Sequence, residues 1–580
     1  MNGADRLSAL SDDLIASIVS FLPAREAART SALSRRWRPI WLGTDSLNLD
    51  SRSYGDPGKD NSSHHDGGGL AGIKMNYRHF SDASKFLGAA GRCGRIKKVS
   101  LTVEGCGNEY FEDVMGNAMW GTSSDSYDLM TSLLGAPLLQ HIEELRVRFE
   151  VLIQMRLGQE KLTRCIYKLD PAELPGHTLR VLDLDFCRLE SPSQGSAGTV
   201  VSFPCLSVLR LYRCSSSMQD LEGLVRTAPS LRSMHIQDHS FYCLSNSGTT
   251  RFKVHSASLT DLTLVDTSGS ICLQGTELDT PCLRTFKYNT FIFTGLRMKS
   301  QPTKLARVDL TLQSIVRTSG DNSSQLVLPR SAQVWQFLGH FRHVKAIRLK
   351  VKKIWCIAVN EDAQHEHLVM LPGLERLELE GFTDPDPRHA TAIANLLHCC
   401  PMLRDLRIRI LRDPYQTSYG GESDVVSSSC DFDVSMELFR RRFSREMLPL
   451  MLDRDDDGSS RVAELPGLTG CRFNCLENHL KKVTLRFDQL KELDSFEVRL
   501  AKFFAENCMG LEALQIVDGK HNFLSHINWM VQRWRSDALE RRKQIIGRES
   551  ADSSKQSRKR KGDTAVEHKL ETKRNYRKRT

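Results

Sequence analysis

The sequence predicts an α/β solenoid: stacked strand-and-return units, headed by a small three-helix module and followed by a disordered basic tail. Three observations lead there. The spacing apolar-x-x-apolar-x-apolar recurs thirteen times between Ile96 and Ile516. Residues 5–50, ahead of the first triplet, follow helical spacing instead. From Ser550 onward hydrophobic residues nearly vanish while Lys and Arg cluster.

The head module comes first. Ser11 precedes Asp12 and Asp13, an N-cap with acids in the first helical turn. Leu14, Ile15, Ile18, Val19 and Leu22 then follow the helical period, and Pro23 ends the segment. A second helix is expected over Arg25–Leu33 and a third around Arg35–Leu42, which carries Trp37 and Trp41. A bundle of about 45 residues has a small core, so its apolar surplus is expected to be buried against a partner. Residues 51–77 read as a flexible linker. Gly67, Gly69 and Gly72 match a dinucleotide fingerprint by letters alone, but no strand precedes them. His64 and His65 lack companions at zinc-site spacing, as do His365 and His367.

Residues 78–410 hold most of the triplets. They begin at Ile96, Ile142, Leu179, Leu206, Leu231, Leu259, Leu283, Leu305, Val344, Leu374 and Leu403, and continue beyond at Leu480 and Leu511. Successive starts from Leu179 to Leu305 are 27, 25, 28, 24 and 22 residues apart. That is leucine-rich-repeat spacing, one short strand and one return segment per unit. The residue between the last two apolar positions is polar in every copy, so one strand face is buried and the other meets solvent. Met218–Thr227, Thr391–Cys399 and Phe496–Asn507 read as amphipathic helical returns. Such a unit cannot bury its apolar side alone and must stack. Gaps of 39 and 77 residues, and an Asn/Cys position filled only by Cys187 and Cys214, predict an irregular array.

Residues 411–467 form a polar insertion. Asp453, Asp455, Asp457, Gly458 and Glu464 match a calcium-loop expression. Pro449 and Leu465-Pro466-Gly467 deny it the flanking helices, so a solvated acidic loop is the reading. Terminal repeats follow at 468–535, then the tail at 536–580. From Arg535 to Thr580 there are 16 Lys or Arg and 7 Asp or Glu, so nearly all of the net charge of +10 belongs to this end. Arg558, Lys559, Arg560 and Lys561 read as a nuclear-import signal, the alternative being a solubilising tail with weak phosphate affinity.

Composition narrows the class further. No apolar run approaches a membrane span, and no signal peptide is expected. Sixteen scattered cysteines without a Cys-x-x-Cys pair read as packed thiols. No nucleophile elbow, phosphate loop or His-Glu-x-x-His is present, so neither enzyme activity nor a cofactor or metal is expected.

Three runs in the head module carry a resemblance. They are Asp-Arg-Leu-Ser-Ala-Leu-Ser-Asp-Asp-Leu at 5–14, Ser-Phe-Leu-Pro at 20–23, and Ala-Ala-Arg-Thr-Ser-Ala-Leu-Ser-Arg-Arg-Trp-Arg-Pro-Ile-Trp at 27–41. The stretch resembles a plant-type F-box over residues 1–50, with Ser11 where the family usually has proline. Cys475–Leu485, Lys502–Cys508 and Leu511–Leu514 resemble the FBD region that follows the repeats in many plant F-box proteins. The resemblance implies the substrate receptor of an SCF-type ubiquitin ligase, docked on a Skp-type adaptor and through it on a cullin. It places Leu7, Leu10, Leu14, Ile18, Leu22, Leu33 and Trp37 on the adaptor face, with Trp41 packing the module on the first repeat. It places target binding on the strand face that carries Arg210, His235, Lys287, Asp309, Arg348, Glu378 and Arg407. Their mixed signs argue against a phosphate-tracking groove, which leaves nucleic acid to weak contact by the tail. The other class of function is a nuclear scaffold that binds nucleic acid or protein through that tail. Nucleus, cytoplasm or both are the expected locations.

Overall fold

Ser11 starts the first helix, α1 (Asp12–Val19), by accepting the Leu14 N–H on its hydroxyl at 3.4 Å. Helices α2 (Ala24–Arg29) and α3 (Trp37–Leu42) follow, with a 3-10 turn at Thr30–Ala32 between them. Their shared core is Ile15, Val19, Ala27 and Trp37, against which Leu10, Leu22, Ile40 and Trp41 are packed. Trp41, expected to join the module to the first repeat, therefore rests on the module's own core.

The computed structural model describes residues 9–54, 96–105, 134–136, 139–151, 167–190, 202–242, 250–265, 273–291, 295–313, 315–318, 324–327, 331–383, 386–412, 462–488, 495–508, 510–518, 527–528 and 530–545. They fall into two units divided between Val327 and Leu328. The dinucleotide-like glycines, His64-His65, the heart of the acidic loop and the nuclear-import cluster lie outside the described residues. So do 55–77 of the expected linker and Leu7.

In the first unit the strands run β1 (Ser46–Asp50), β2 (Lys98–Gly105), β3 (Glu144–Val151), β4 (Val181–Asp185), β5 (Val208–Tyr212), β6 (Ser233–Gln237), β7 (Asp261–Val265), β8 (Thr285–Phe291) and β9 (Arg307–Gln313). Each pairs in parallel with the next, in chain order. Every apolar triplet from Ile96 to Leu310 sits at one of these strands, buried on the same side. Strand β1 was not expected, because residues 1–50 read as helical throughout. Thr44 occupies its first apolar slot, and Leu47 and Leu49 supply the other two. The head module is thus continuous with the repeat sheet.

Three consecutive strands, β4, β5 and β6, are each followed by a residue with left-handed backbone: Phe186, Arg213 and Asp238. That turn directs Cys187–Leu189, Ser215–Ser217 and Ser240–Tyr242 into a second parallel sheet, which Tyr167–Leu169 joins. Cys187 and Cys214 begin the turn's far side and are buried. Burial, then its neighbour Cys214, pushes the Cys187 thiol up, which suits a packing role. The helical return α4 (Met218–Arg226) has Ser217 as its cap, bonded to Asp220 N at 3.0 Å.

The second unit repeats the plan with β10 (Ala346–Lys353), β11 (Arg376–Thr383), β12 (Asp405–Arg412), β13 (Lys482–Phe487) and β14 (Ala513–Asp518), again parallel in chain order. Its returns are α5 (Ser331–Leu338), α6 (Arg388–Cys399), α7 (Asn474–Asn478) and α8 (Phe496–Asn507). The buried Trp335 donates its indole N–H to the Ile357 carbonyl at 2.9 Å, and Asn395 donates to Val359 O at 3.0 Å. Two boundaries need correction. Leu411 and Arg412 complete β12, while Val462 and Leu465 are buried, so the polar insertion is shorter than 411–467. Residues 536–545, assigned to the disordered tail, continue a helix over 530–545. Met530, Val531, Trp534 and Ala538 recur at helical spacing and are buried, and Arg541 pairs with Glu506 at 3.0 Å.

Candidate functional site: the head-module face and the strand faces

Helix α1 presents two apolar stripes. Ile15, Val19 and Leu22 turn into the bundle. Leu14, Ile18 and Phe21, also at i, i+4 and i+7, turn out, with 54%, 44% and 82% of their surface exposed. Leu33, in the turn before α3, is 64% exposed. Three aliphatics and a Phe in solvent on so small a unit cannot be attributed to core packing, because the core is closed without them. Of the residues placed on the adaptor face, Leu14, Ile18 and Leu33 face solvent. Leu10 and Leu22 lie partly buried against the core. Trp37 is 7% exposed and belongs to the core. Phe21 was overlooked; its signal was a Phe between two core positions and Pro23, with no core slot left for it.

The module is fixed to the repeats by polar contacts. Asn48 of β1 donates to the Ser20 carbonyl at 2.6 Å and to that of Leu22 at 3.2 Å, and Arg25 donates to the Ser53 carbonyl. Between α1 and the outer face of β1–β3 lies a cavity of about 680 Å³, lined among others by Ser17, Phe21, Asn48, Lys98 and Arg146.

The polar residues centred in the strands align in rows. Arg146, Asp183, Arg210 and His235 are successive partners across β3–β6, followed by Thr263, Lys287 and Asp309 on β7–β9. Asp183 is almost fully buried; Arg210 approaches it at 3.6 Å, and its other carboxylate oxygen has no hydrogen-bond partner among the described residues. The Tyr212 and His235 rings stand 4.9 Å apart. Burial lowers the His235 pKa and raises that of Tyr212. Arg348, Glu378 and Arg407 form the corresponding row on β10–β12. The side chains expected to bind the target thus share a row within each unit.

One buried pair could be mistaken for catalytic machinery. Ser216 Oγ lies 2.9 Å from His239 Nε2, but neither residue has any exposed surface and His239 Nδ1 has no partner among the described residues. No substrate reaches it. Among the described residues no group of His, Cys, Asp and Glu is placed to hold a metal, and no helix is long and apolar enough to cross a membrane.

Comparison with known proteins places both halves of this arrangement. Residues 7–47 match the F-box domain family, and residues 132–305 match the family described as "FBD-associated F-box protein At5g56370, LRR repeats". The chain carries an F-box and FBD-associated leucine-rich repeats. A putative F-box/FBD/LRR-repeat protein of Arabidopsis thaliana is 24% identical over 540 residues, 89% of this chain and 91% of that protein. An FBD-associated F-box protein of the same plant is 26% identical over 72% of this chain and 79% of its own length. A third Arabidopsis protein, an F-box/FBD/LRR-repeat protein, is 47% identical over 55 residues, 10% of this chain and 13% of that protein. The F-box match ends at Leu47, inside β1, so the boundary of the domain and the first strand of the repeats overlap.

Proposed function

We propose that this chain is the substrate-recognition subunit of an SCF-type ubiquitin ligase. The F-box docks on a Skp-type adaptor, which links it to a cullin, and the strand faces of the repeats bind the protein to be ubiquitinated. Ubiquitin transfer then falls to other subunits. The observation that carries this reading is the outward stripe Leu14–Ile18–Phe21 beside a bundle core already closed by Ile15, Val19 and Trp37. Large apolar side chains held rigidly in solvent are the anchors that small docking modules use. The experiment is co-purification with a Skp-type adaptor of the wild-type chain and of Leu14→Ala/Ile18→Ala. The double variant should lose at least about tenfold in affinity, since truncating interface anchors costs above 1 kcal/mol each. Wild-type affinity in that variant would remove α1 from the interface.

We place the chain in the nucleus as well as the cytoplasm on the strength of Arg558–Lys561. Deleting residues 557–580 and imaging the tagged chain tests this, and an unchanged nuclear fraction would count against it.

A further inference from the structure

The solvent-facing side of the second unit has a charge pattern that its ion pairs do not exhaust. Three rows cross β10–β13 there. Ala346, Arg376, Asp405 and Lys482 are successive partners in the first, and Arg348, Glu378, Arg407 and Thr484 in the second. Lys350, Glu380, Arg409 and Arg486 make the third. Within these three rows seven cations stand with three carboxylates, and the exposed Asp488 follows just past the end of β13.

All three carboxylates are already engaged within the face. Glu380 is nearly buried and meets Lys350 at 2.8 Å, Arg348 at 3.1 Å and Arg409 at 3.8 Å. Burial alone would raise its pKa, but Lys350, Arg348 and Arg409 outweigh it and hold the carboxyl below its ordinary value. Asp405 takes Arg376 at 3.0 Å and Arg407 at 2.9 Å, and Glu378 takes Arg348 at 3.3 Å. Lys482 and Arg486, both exposed on β13, pair with nothing among the described residues. Arg409 Nε, closed off from solvent, has no acceptor either. Within the three rows, the β12–β13 side is short of negative charge and of hydrogen-bond acceptors.

We propose that this face captures an acidic peptide segment of the bound protein, with Arg486 and Lys482 supplying the unmatched positive charge. The inference rests on the reading that strand faces take the target, and it adds the target's chemistry. A peptide fits better than a nucleic acid for a geometric reason. Neighbouring strands lie about 4.8 Å apart, so Glu378 and Glu380 stand between cations at roughly side-chain spacing. Carboxylates embedded in the rows repel a continuous phosphate backbone, whereas side-chain carboxylates of a peptide can settle beside cations and avoid them. The fixed pairs on Glu380 and Asp405 hold the guanidinium groups in place, and that limits the ordering cost of binding.

The test uses the full-length chain with a fluorescein-labelled deca-glutamate peptide, read by anisotropy. Lys482→Glu/Arg486→Glu should weaken binding at least about tenfold, because like charge is then set against the peptide. Lys482→Gln/Arg486→Gln should give a smaller loss, and both variants should keep wild-type adaptor affinity; an unchanged urea unfolding midpoint reports that the second unit, which carries both positions, still folds. Replacing Arg558–Lys561 by alanine should change the peptide affinity less than twofold. Unchanged affinity in the charge-reversed variant, or loss only when the tail cations are removed, would overturn the proposal. So would single-stranded DNA binding that exceeds peptide binding and is abolished by the same reversal. Because adaptor affinity is measured in parallel through the F-box, failure of the ligase reading and failure of this one give different results.

Discussion

Asn48, the third residue of β1, caps α1 from outside: its side-chain amide donates to the Ser20 carbonyl at 2.6 Å and the Leu22 carbonyl at 3.2 Å. The last carbonyls of a helix have no partner within it, so a strand of the repeat sheet completes an F-box helix. The two modules are joined by this bond as well as by the chain. Asn48→Ala should destabilise the junction by about 1–2 kcal/mol, the cost of leaving part-buried carbonyls unpaired. Hydrogen exchange at the α1 amides is the measurement, with exchange expected to quicken by about tenfold. Equal rates would show that the amide holds nothing.

Acid should unfold the first unit through His239. Its folded pKa is lowered from 6.5 to about 3 because burial disfavours the charged ring. The unfolded chain therefore takes up a proton below about pH 6.5 that the folded chain refuses. The stability is whole above pH 6.5 and is lost as pH falls toward 3, by up to about 1.4 kcal/mol per pH unit. His235, in the same unit and also lowered by burial, adds to the loss in the same direction. Urea midpoints between pH 7.5 and 4.5 should show this slope. His239→Leu should start lower, since Ser216 loses its partner, and fall less steeply. A parallel pair of curves would show that His239 is not the titrating group.

The repeat array was legible because a buried strand face imposes a period of two and a stacked unit imposes its own length. Every expected triplet, from Ile96 to Ile516, falls at a strand of the two units. Expected returns at Thr391–Cys399 and Phe496–Asn507 fall on α6 and α8 for the same reason. Where the periods gave no signal, the reading failed. Thr44 hid β1, since a threonine fills a slot that reads as polar. Charge hid the helix over 530–545, whose buried side needs only Met530, Val531, Trp534 and Ala538. The second sheet of the first unit depends on Phe186, Arg213 and Asp238 at positive φ, residue types that do not announce such a turn. Trp37 lies in the core and not on the expected adaptor face, because bulk and family position cannot tell which side of a short helix faces in.

Two glycines should respond to alanine with opposite sign. A methyl at Gly381 of β11 would stand 2.9 Å from both Ile354 Cγ1 and the Val351 carbonyl oxygen, so the fold must shift to admit it. Gly381→Ala should cost about 1–3 kcal/mol as overpacking. Gly223, in α4, has nothing within 4 Å of the added carbon. Gly223→Ala should stabilise by about 0.5–1 kcal/mol through helix propensity and reduced freedom of the unfolded chain. Urea midpoints of the two variants against wild type decide it; a stabilised Gly381→Ala would show that β11 has room for a methyl beside Ile354 and Val351.

The face and the core of the F-box can be separated with three tryptophan and aliphatic positions. Trp37 belongs to the core with Ile15 and Val19, while Ile18 and Leu14 lie outside it. Trp37→Ala removes a large buried side chain and should cost about 3–5 kcal/mol, enough to open so small a bundle. Adaptor binding should then vanish together with hydrogen-exchange protection of α1. Leu14→Ala/Ile18→Ala removes no core contact and raises helix propensity slightly, so protection of α1 should stay at the wild-type level while adaptor affinity falls. Loss of protection in the double variant would return Leu14 and Ile18 to the core. Retained adaptor binding in Trp37→Ala would mean that the stripe Leu14–Ile18–Phe21 needs no folded bundle behind it, and the rigid-anchor account of docking would fail.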